Sequence, residues 1–412
     1  MIGNVFIYYD FLLLVHLSPL LITSFFPNAT PAESHIIALF LFGASFFVRP
    51  IGGIIFGYMA DVQGRKIALI STVKWAILPA LLIAILPNYT MIGSLATVLF
   101  VLLRLAQGLS LGGEFTNAGT YLMEYHARNY GLMSGLLTAS GALGSLFGVL
   151  LSIICIKYQH DIPWLWRMSF LLSAIIAFWG FNMRAILDEI PIPLKVPHSL
   201  LVKHLPLKRL MVILMGMLIG LTIWIPMIYT HFFVVRIEGA HDMIGLHCTL
   251  IALCCYVVLT PLCGAIYDRL NNTYLFMMSA ALCVIPFNVV GLILLQNNHC
   301  YSAQILLILS AALISAPMHV VMNSLFPPAI RARNVSFFFT LGLCVGGMAP
   351  GSIAYLVDHI SSSIHLIPTA TGYVFHQTNY HLIPIISVTV LTILTITVMF
   401  LYRKAQSNYT SK

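Results

Sequence analysis

The sequence is poor in charged residues. Only 8% of its 412 residues are Asp, Glu, Lys or Arg, whereas about 25% is usual in a soluble domain. Hydrophobic residues make up 60% of the chain, and the mean hydropathy is +0.96. So few charges cannot cover the surface of a water-soluble fold of this size. A soluble protein is therefore excluded, and the chain is predicted to be an integral membrane protein.

Patterns typical of catalysis and metal binding are also scarce. The 12 Asp and Glu residues are scattered along the chain. This scatter argues against the alternative of an integral membrane enzyme that acts on lipid-linked substrates. The 8 cysteines show no metal-binding spacing, and nearly all of them fall in or at the ends of apolar segments. We expect no catalytic residue, no cofactor and no metal.

Apolar residues occur in blocks of about 20, the length of a helix that crosses about 30 Å of hydrocarbon. They do not form the alternating ten-residue strips of a transmembrane barrel. We therefore predict an all-α integral membrane protein with twelve transmembrane helices. The predicted spans are residues 2–25, 36–58, 67–86, 92–113, 131–155, 164–183, 210–234, 247–267, 273–295, 301–322, 334–357 and 382–402.

The net charge of +8 has a membrane explanation rather than a nucleic-acid one. If the N-terminus is cytoplasmic, most basic residues fall in cytoplasmic loops and the tail, including the group from Arg184 to Arg209. Outer loops and helix starts hold Lys157, Arg167 and Arg236. This is the positive-inside distribution of multi-pass membrane proteins. We expect both termini in the cytoplasm, contact with membrane lipids and no nucleic-acid partner.

The chain carries an internal repeat. Gly57 and Asp61 follow the second predicted span, and Gly264 and Asp268 repeat their spacing after the eighth, about half a chain later. In transporters built from duplicated bundles, the substrate site lies between the halves near the bilayer midplane. We predict two pseudo-symmetric six-helix bundles, with an N-terminal bundle at 1–183, a cytoplasmic linker loop at 184–209, a C-terminal bundle at 210–402 and a short cytoplasmic tail at 403–412.

The turn after the second span predicts a cytoplasmic gate. Its glycines allow close helix approach. Asp61 can pair with Arg65 four residues on, and can also cap the positive N-terminus of a facing helix. The alternative is a solvated turn whose basic residues only follow the positive-inside rule. The predicted gate consists of Gly57, Asp61, Gly64, Arg65, Lys66, Asp268 and Arg331.

Several motifs carry a family resemblance. From Arg49 the chain reads Arg-Pro-Ile-Gly-Gly-x-x-Phe-Gly-x-x-x-Asp-x-x-Gly-Arg-Lys, and further matches begin at Gly3, Arg104, Trp166 and Gly346. Together they resemble the metabolite:proton symporter branch of the major facilitator superfamily, which includes proline/betaine, 2-oxoglutarate, citrate and shikimate transporters. The resemblance implies a multi-pass carrier in a bacterial inner membrane that imports a small polar metabolite by alternating access, together with protons.

One departure from that branch concerns proton coupling. The branch usually has a glutamate two residues before its Tyr-Asp pair in helix one, and this chain has Ile7. Asp10 and Glu114 are then the remaining carboxyl groups in or beside the first-half helices. The alternative that follows from Ile7 is an uncoupled uniporter or a sensor derived from the symporters.

Charged side chains at membrane depth need a partner or a cavity, because insertion costs about 2.5–3.5 kcal/mol each. At 100° per residue, Arg104, Gln107 and Glu114 share one helical face. Asp10 on helix one lies at comparable depth. Two interpretations stay open: Arg104 holds a substrate carboxylate or the coupling carboxylate, or Arg104 and Asp10 form a structural pair.

The remaining candidates are titratable or aromatic. His231 and His319 can carry protons or only pack helices. Trp224 and Tyr229 can form an aromatic wall for an alkylammonium group or an interfacial belt. The substrate and proton-coupling candidates are Asp10, Arg104, Gln107, Glu114, His231, Trp224, Tyr229 and His319. One buried arginine beside one carboxylate favours a zwitterion such as proline or betaine, and a di- or tricarboxylate is the alternative.

Overall fold

The structure is a computed structural model that describes residues 2–29, 31–125, 128–190, 205–232, 234, 242–270, 272–362, 367–369, 372–374 and 382–410. The helices are α1 (Ile2–Phe25), α2 (Pro31–Val62), α3 (Arg65–Ile85), α4 (Tyr89–Ile92), α5 (Ser94–Tyr125), α6 (Tyr130–Lys157), α7 (Leu165–Ala185), α8 (Leu205–Trp224), α9 (Thr230–Phe232), α10 (Asp242–Leu270), α11 (Thr273–Gln296), α12 (Cys300–Ser315), α13 (Met318–Ser324), α14 (Pro328–Ser362) and α15 (Leu382–Thr410). A single π-helical turn, Ile225–Tyr229, joins α8 to α9. A short antiparallel hairpin pairs β1 (Ile367–Thr369) with β2 (Gly372–Val374), with Ile367 opposite Val374.

The described chain has the twelve-helix architecture that the apolar blocks predict. Eleven of its helical segments are long and apolar enough to cross a membrane, and α1 contributes the shorter apolar stretch Gly3–Ser18. We call the end of the bundle where α1 begins and α2 ends the terminal face, and the end where α1 finishes the opposite face. Consecutive spans alternate in direction between these two faces.

The two halves pack through symmetry-equivalent pairs of helices. The second span of the N-terminal half, α2, lies along α14, which is the fifth span of the other half. In the same way α10, the second span of the C-terminal half, lies along α6. This reciprocal packing is the pseudo-symmetry that the repeat predicts.

Small residues bring α2 and α5 into backbone contact. A Cβ atom on Gly52 would collide with the carbonyl of Leu109, and one on Gly112 would collide with the carbonyl of Arg49. Close approach through small residues is how membrane helices pack without a hydrophobic driving force. The contact fixes the backbone of Arg49 between α5 and the rest of the N-terminal half.

Several predicted boundaries are wrong. The fourth span does not stop at residue 113 but continues as α5 to Tyr125. The tenth is broken between α12 and α13 near Pro317, because proline cannot continue the helical hydrogen-bond ladder.

The linker and the tail also differ from their predicted bounds. Helix α7 ends at Ala185 and α8 begins at Leu205, so the ends of the predicted linker 184–209 are helical. Residues 191–204 lie outside the described part of the chain. The predicted tail continues α15 to Thr410.

Candidate functional site

Asp61 joins the two halves at the terminal face. One carboxylate oxygen accepts hydrogen bonds from Arg65 Nη1 at 2.6 Å and from the backbone N–H of Ala332 at 3.0 Å. The other accepts the N–H of Arg333 at 3.1 Å. Both N–H groups lie in the second turn of α14, at its fifth and sixth residues. The ion pair expected from the sequence is present. In place of the expected cap of a helix N-terminus, Asp61 binds the second turn of α14, and this contact connects α2 to the C-terminal half.

Arg65 extends this contact into a network. Its side chain is fully buried and donates to both carboxylate oxygens of Glu124, at 2.9 and 3.1 Å, and to the carbonyl of Pro328 at 2.7 Å. Arg331 reaches the same Glu124 at 2.7 Å from the C-terminal half. Two arginines from opposite halves therefore share one carboxylate. Sequence reasoning did not identify Glu124 as part of the gate.

Asp268 makes the equivalent contact in the other direction. Its two carboxylate oxygens accept the backbone N–H groups of Gly131, at 2.7 Å, and Leu132, at 2.8 Å, near the beginning of α6. Gly57 and Gly264 are required at these crossings. A Cβ on Gly57 would lie 2.8 Å from the Cα of Arg333, and one on Gly264 would collide with the carbonyl of Gly131.

Gly64 and Lys66 have different roles from the ion pairs. Gly64 has φ of +121°, a conformation that favours glycine, and it connects α2 to α3 in a single tight turn. The backbone N–H of Lys66 donates to Glu189 Oε1 at 3.3 Å. Lys66 therefore touches the segment after α7 through its backbone. We call the set of Asp61, Arg65, Glu124, Asp268 and Arg331 the terminal latch.

Asp10, Gln107 and Arg104 meet inside the N-terminal half. Gln107 donates from Nε2 to Asp10 Oδ2 at 2.5 Å and accepts from Arg104 Nη1 at 2.5 Å. Arg104 Nη1 also lies 3.7 Å from Asp10 Oδ2. All three residues are buried. The amide thus bridges the two charges, so a change in the charge of Asp10 acts on Arg104 directly and through Gln107.

Glu114 belongs to a separate buried pair. Arg184 of α7 donates to both of its carboxylate oxygens, and Thr72 of α3 donates to Oε2 at 2.5 Å. Glu114 shares a helical face with Arg104 but lies about 15 Å further along the helix axis at 1.5 Å per residue. The structure therefore does not bring Glu114 together with Asp10.

A cavity of about 50 Å³ lies between the two halves. Five aromatic side chains line it, namely Tyr8, Phe115, Trp224, Tyr256 and Phe339. The hydroxyls of Thr138 and Ser145 complete its polar lining. Among the described residues that line this cavity, none carries a charge. Of the eight candidates predicted from the sequence, Trp224 contributes to this wall.

The other aromatic and histidine candidates surround the cavity. Tyr229 is buried in the π-helical turn, where Gln304 donates to the carbonyl of Pro226 at 2.9 Å. His231 contacts His16 across the two halves, with ring centroids 5.4 Å apart. His319 is fully buried and packs its ring edge to face with Phe115 at 4.6 Å.

Arg49 is a buried charge that sequence reasoning left without a role. Only 1% of its surface is exposed, and its guanidinium lies over the rings of Phe46, at 3.7 Å, and Phe11, at 4.6 Å. Within the described residues, its Nε and Nη2 atoms have no hydrogen-bond partner. The signal was present in the sequence, since an arginine inside an apolar span costs about 2.5–3.5 kcal/mol and needs compensation.

The described part of the chain has twelve membrane-spanning helices in two pseudo-symmetric halves, a central cavity between the halves and a charged latch at one face. These features together define a membrane transporter. The sequence matches the model of the Major Facilitator Superfamily over residues 1–350. The chain belongs to the major facilitator superfamily. It is a multi-pass transporter and not an enzyme.

Relatives and solved structures agree with that assignment. The chain is 25% identical over 389 residues to the proline/betaine transporter of Salmonella typhimurium, an alignment that covers 87% of this chain and 76% of the relative. It is 28% identical over 376 residues to the alpha-ketoglutarate permease of Escherichia coli, covering 87% and 85%. The structure of the proton:xylose symporter XylE bound to 6-bromo-6-deoxy-D-glucose superposes with a TM-score of 0.76 at 16% identity, covering 98% and 93%.

Proposed function

We propose that this protein imports a small zwitterion of the proline/betaine type across a bacterial inner membrane by alternating access, with proton symport as its energy source. The observation that carries the proposal is the aromatic, uncharged cavity between the two halves.

The lining of the cavity favours a zwitterion. Aromatic faces attract quaternary ammonium groups, and such cages are a known solution for binding them. A substrate without net charge also suits a wall that carries no charge among its described residues. A di- or tricarboxylate would bring uncompensated negative charge into this space.

The names of the relatives support a zwitterion as the substrate, and they also support a dicarboxylate as the alternative. Proline/betaine transporters are 25% identical to this chain, and the alpha-ketoglutarate permease is 28% identical. Since these values are close, similarity alone does not separate a zwitterion from a dicarboxylate. The chemistry of the cavity is the reason for preferring the zwitterion.

Proton coupling is proposed at Asp10. Protonation would neutralise its carboxylate and free Arg104 and Gln107 from their shared contact, which alters the charge in the N-terminal half. Glu114 is a weaker candidate because Arg184 and Thr72 already hold its oxygens. The side chain of Ile7 lies outside the part of the chain that the structure describes, and the uncoupled uniporter remains the alternative.

The terminal latch is proposed to be the cytoplasmic gate. The positive-inside rule assigns the terminal face, which carries most loop arginines and lysines, to the cytoplasm. Both termini are then cytoplasmic. In the present conformation the latch joins the halves at this face.

Uptake into proteoliposomes tests the proposal. Labelled betaine and labelled 2-oxoglutarate are offered separately, with an inward proton gradient imposed and then collapsed. Accumulation of betaine that depends on the gradient is the expected result. Accumulation of 2-oxoglutarate alone would contradict the zwitterion, and equilibration of betaine without regard to the gradient would contradict symport.

A further inference from the structure

Arg49 has the geometry of an anion site. Its side chain is almost completely buried in α2, so it cannot reach water at either face. The two guanidinium atoms without a hydrogen-bond partner among the described residues are Nε and Nη2. These two nitrogens lie side by side along one edge of the guanidinium plane. Such an edge binds both oxygens of one carboxylate with parallel hydrogen bonds.

Two phenyl rings, whose centroids lie 5.6 Å apart, pack against the guanidinium without sandwiching it. Phe46 covers it at 3.7 Å and Phe11 at 4.6 Å. Both phenyl rings also contact Trp224, at 5.7 and 5.5 Å between ring centroids. Trp224 lines the central cavity. Along this line of contacts, Arg49 lies behind the two phenyl rings and Trp224, and it is not itself a lining residue of the cavity.

The neighbouring carboxylates are engaged elsewhere. Asp10 is bound by Gln107 and lies 3.7 Å from Arg104, and Glu114 is bound by Arg184. Arg104 is close enough to repel the positive charge of Arg49. Tyr8, which lines the cavity, and Cys344 of α14 are uncharged polar residues in its neighbourhood. The surroundings thus supply a second cation and no carboxylate committed to Arg49 among the described residues.

We propose that Arg49 binds the carboxylate of the transported substrate at the Tyr8 side of the central cavity, while the aromatic wall holds the cationic end. This inference rests on the proposed function and assigns the anionic half of the substrate to a residue. It predicts that recognition requires a carboxylate, because a substrate without one would leave the Nε and Nη2 edge unpaired.

Choline provides the matched ligand. It carries the same trimethylammonium group as betaine but ends in a hydroxyl instead of a carboxylate. Binding of labelled betaine to purified protein is measured in competition with unlabelled betaine and choline, with chloride held constant. The wild-type protein is expected to prefer betaine. Arg49→Gln should weaken betaine binding about 10- to 100-fold while choline binding changes little. Arg49→Lys, which keeps the charge but loses the fork, should fall between the two.

Lys74→Gln is the control variant. It removes another cation of a membrane helix, but Lys74 is exposed and lies near Phe181 at 5.4 Å rather than near the cavity. Its preference for betaine should equal that of the wild type. A merely structural role for Arg49 would reduce betaine and choline binding together. An unchanged ratio of the two affinities in Arg49→Gln therefore overturns the inference.

The result also separates this inference from the proposed function. If the wild type binds 2-oxoglutarate and not betaine, the zwitterion proposal fails. The Arg49 variants are then compared on 2-oxoglutarate against its dimethyl ester, which lacks both carboxylates. Loss of that discrimination in Arg49→Gln supports the inference, and its retention overturns it.

Discussion

At the scale of single residues, Asp10 and Glu114 show how two buried carboxylates of one transporter half differ in function. Arg184 and Thr72 supply Glu114 with donors on both oxygens. Asp10 shares one glutamine with an arginine that is 3.7 Å away. Glu114 is thus in a direct ion pair in which both carboxylate oxygens accept hydrogen bonds, whereas Asp10 is held less tightly by its arginine. Asp10 is therefore the better group to gain and lose a proton.

Asp10→Asn should uncouple uptake from the proton gradient. The amide keeps the size of the side chain but cannot titrate. We expect accumulation of labelled betaine against its gradient to be lost, while exchange of external for internal betaine continues. Both quantities are measured in the same proteoliposomes, so a loss of exchange as well as accumulation would contradict a specific coupling role.

Glu114→Gln should destabilise the protein rather than uncouple it. The change leaves the Arg184 guanidinium buried without its anion, and breaking a buried pair in this way typically costs about 3–5 kcal/mol. Thermal unfolding of the purified variant in detergent measures the loss. Gradient-dependent uptake per folded molecule should persist. If the variant were instead stable but its uptake no longer depended on the proton gradient, Glu114 rather than Asp10 would be the coupling carboxylate.

Asp61→Asn should open the terminal face. The variant loses the charge that pairs with Arg65 and accepts two N–H groups of α14, and a buried donor that loses its partner costs about 1–3 kcal/mol. This corresponds to about a 5- to 150-fold change in the ratio of closed to open molecules. Spin labels at the exposed residues Gln63 and Arg269, one in each half, report the separation as a distance distribution.

Asp268→Asn is the symmetry-matched comparison for that experiment. Asp268 also binds two backbone N–H groups across the halves, but no ion pair accompanies it among the described residues. It should shift the distance distribution in the same direction and by less. An unchanged distribution in Asp61→Asn would mean that the latch does not hold the closed state.

The residues of the latch were largely predictable, and those of the cavity were not. Asp61 and Arg65 lie four positions apart, so helix geometry alone brings them together. Glu124 and Arg331 meet only because the halves pack against each other. Tyr8, Tyr256 and Phe339 form one wall for the same reason, since each comes from a different helix. The spacing of residues along the sequence does not predict contacts between different helices.

At the scale of elements, α8 and its π-helical turn depart most from an ideal span. Proline at position 226 has no N–H to donate and disfavours a regular helix. The turn Ile225–Tyr229 widens instead, and Gln304 satisfies the carbonyl of Pro226. Widened turns of this kind occur frequently at functional sites. This one directly follows Trp224, so it orients the wall of the cavity.

Pro226→Ala should lower the rate of transport more than the affinity. Alanine restores a donor and allows α8 to continue as a regular helix, which rotates the residues after Trp224. We expect slower exchange of labelled betaine at saturation with a smaller change in binding. Pro286→Ala in α11 is the control, because Pro286 also lies inside a membrane helix but is exposed. Equal effects of both substitutions would assign the loss to helix stability in general.

The extent of the elements was less predictable than their existence. Hydropathy located every span, but it placed the end of the fourth at residue 113, where the polar run after Gly112 begins. The helix continues because Glu114, Thr116 and Asn117 find partners on other helices. A hydropathy profile counts such residues as loop, since it contains no information about the partners that bury them.

At the scale of the whole molecule, both ends of the central cavity are bridged by contacts between the halves. At the terminal face, Thr120 of α5 donates to Asn323 of α13 at 2.8 Å beside the latch. Towards the opposite face, His16 of α1 contacts His231. Alternating access requires that these two contacts break at different times, with the halves rocking about the cavity between them.

Separate cross-links at the two contacts test that movement. Cysteine pairs replace Thr120 with Asn323, or His16 with His231, in a chain whose 8 native cysteines are changed to serine or alanine. A short reducible reagent then joins each pair. Each link should stop net betaine uptake, and reduction should restore it. The unreacted pairs serve as controls for the substitutions themselves.

The side from which betaine can still bind distinguishes the two linked forms. With the 120–323 pair joined, the cavity can open only at the opposite face, so right-side-out vesicles should still bind external betaine. With the 16–231 pair joined, it can open only at the terminal face, so inside-out vesicles should bind and right-side-out vesicles should not. Because one binding site serves both sides, the two forms should bind with the same preference for betaine over choline. Binding from both sides in either linked form would mean that the contact is not a gate and that the halves open elsewhere.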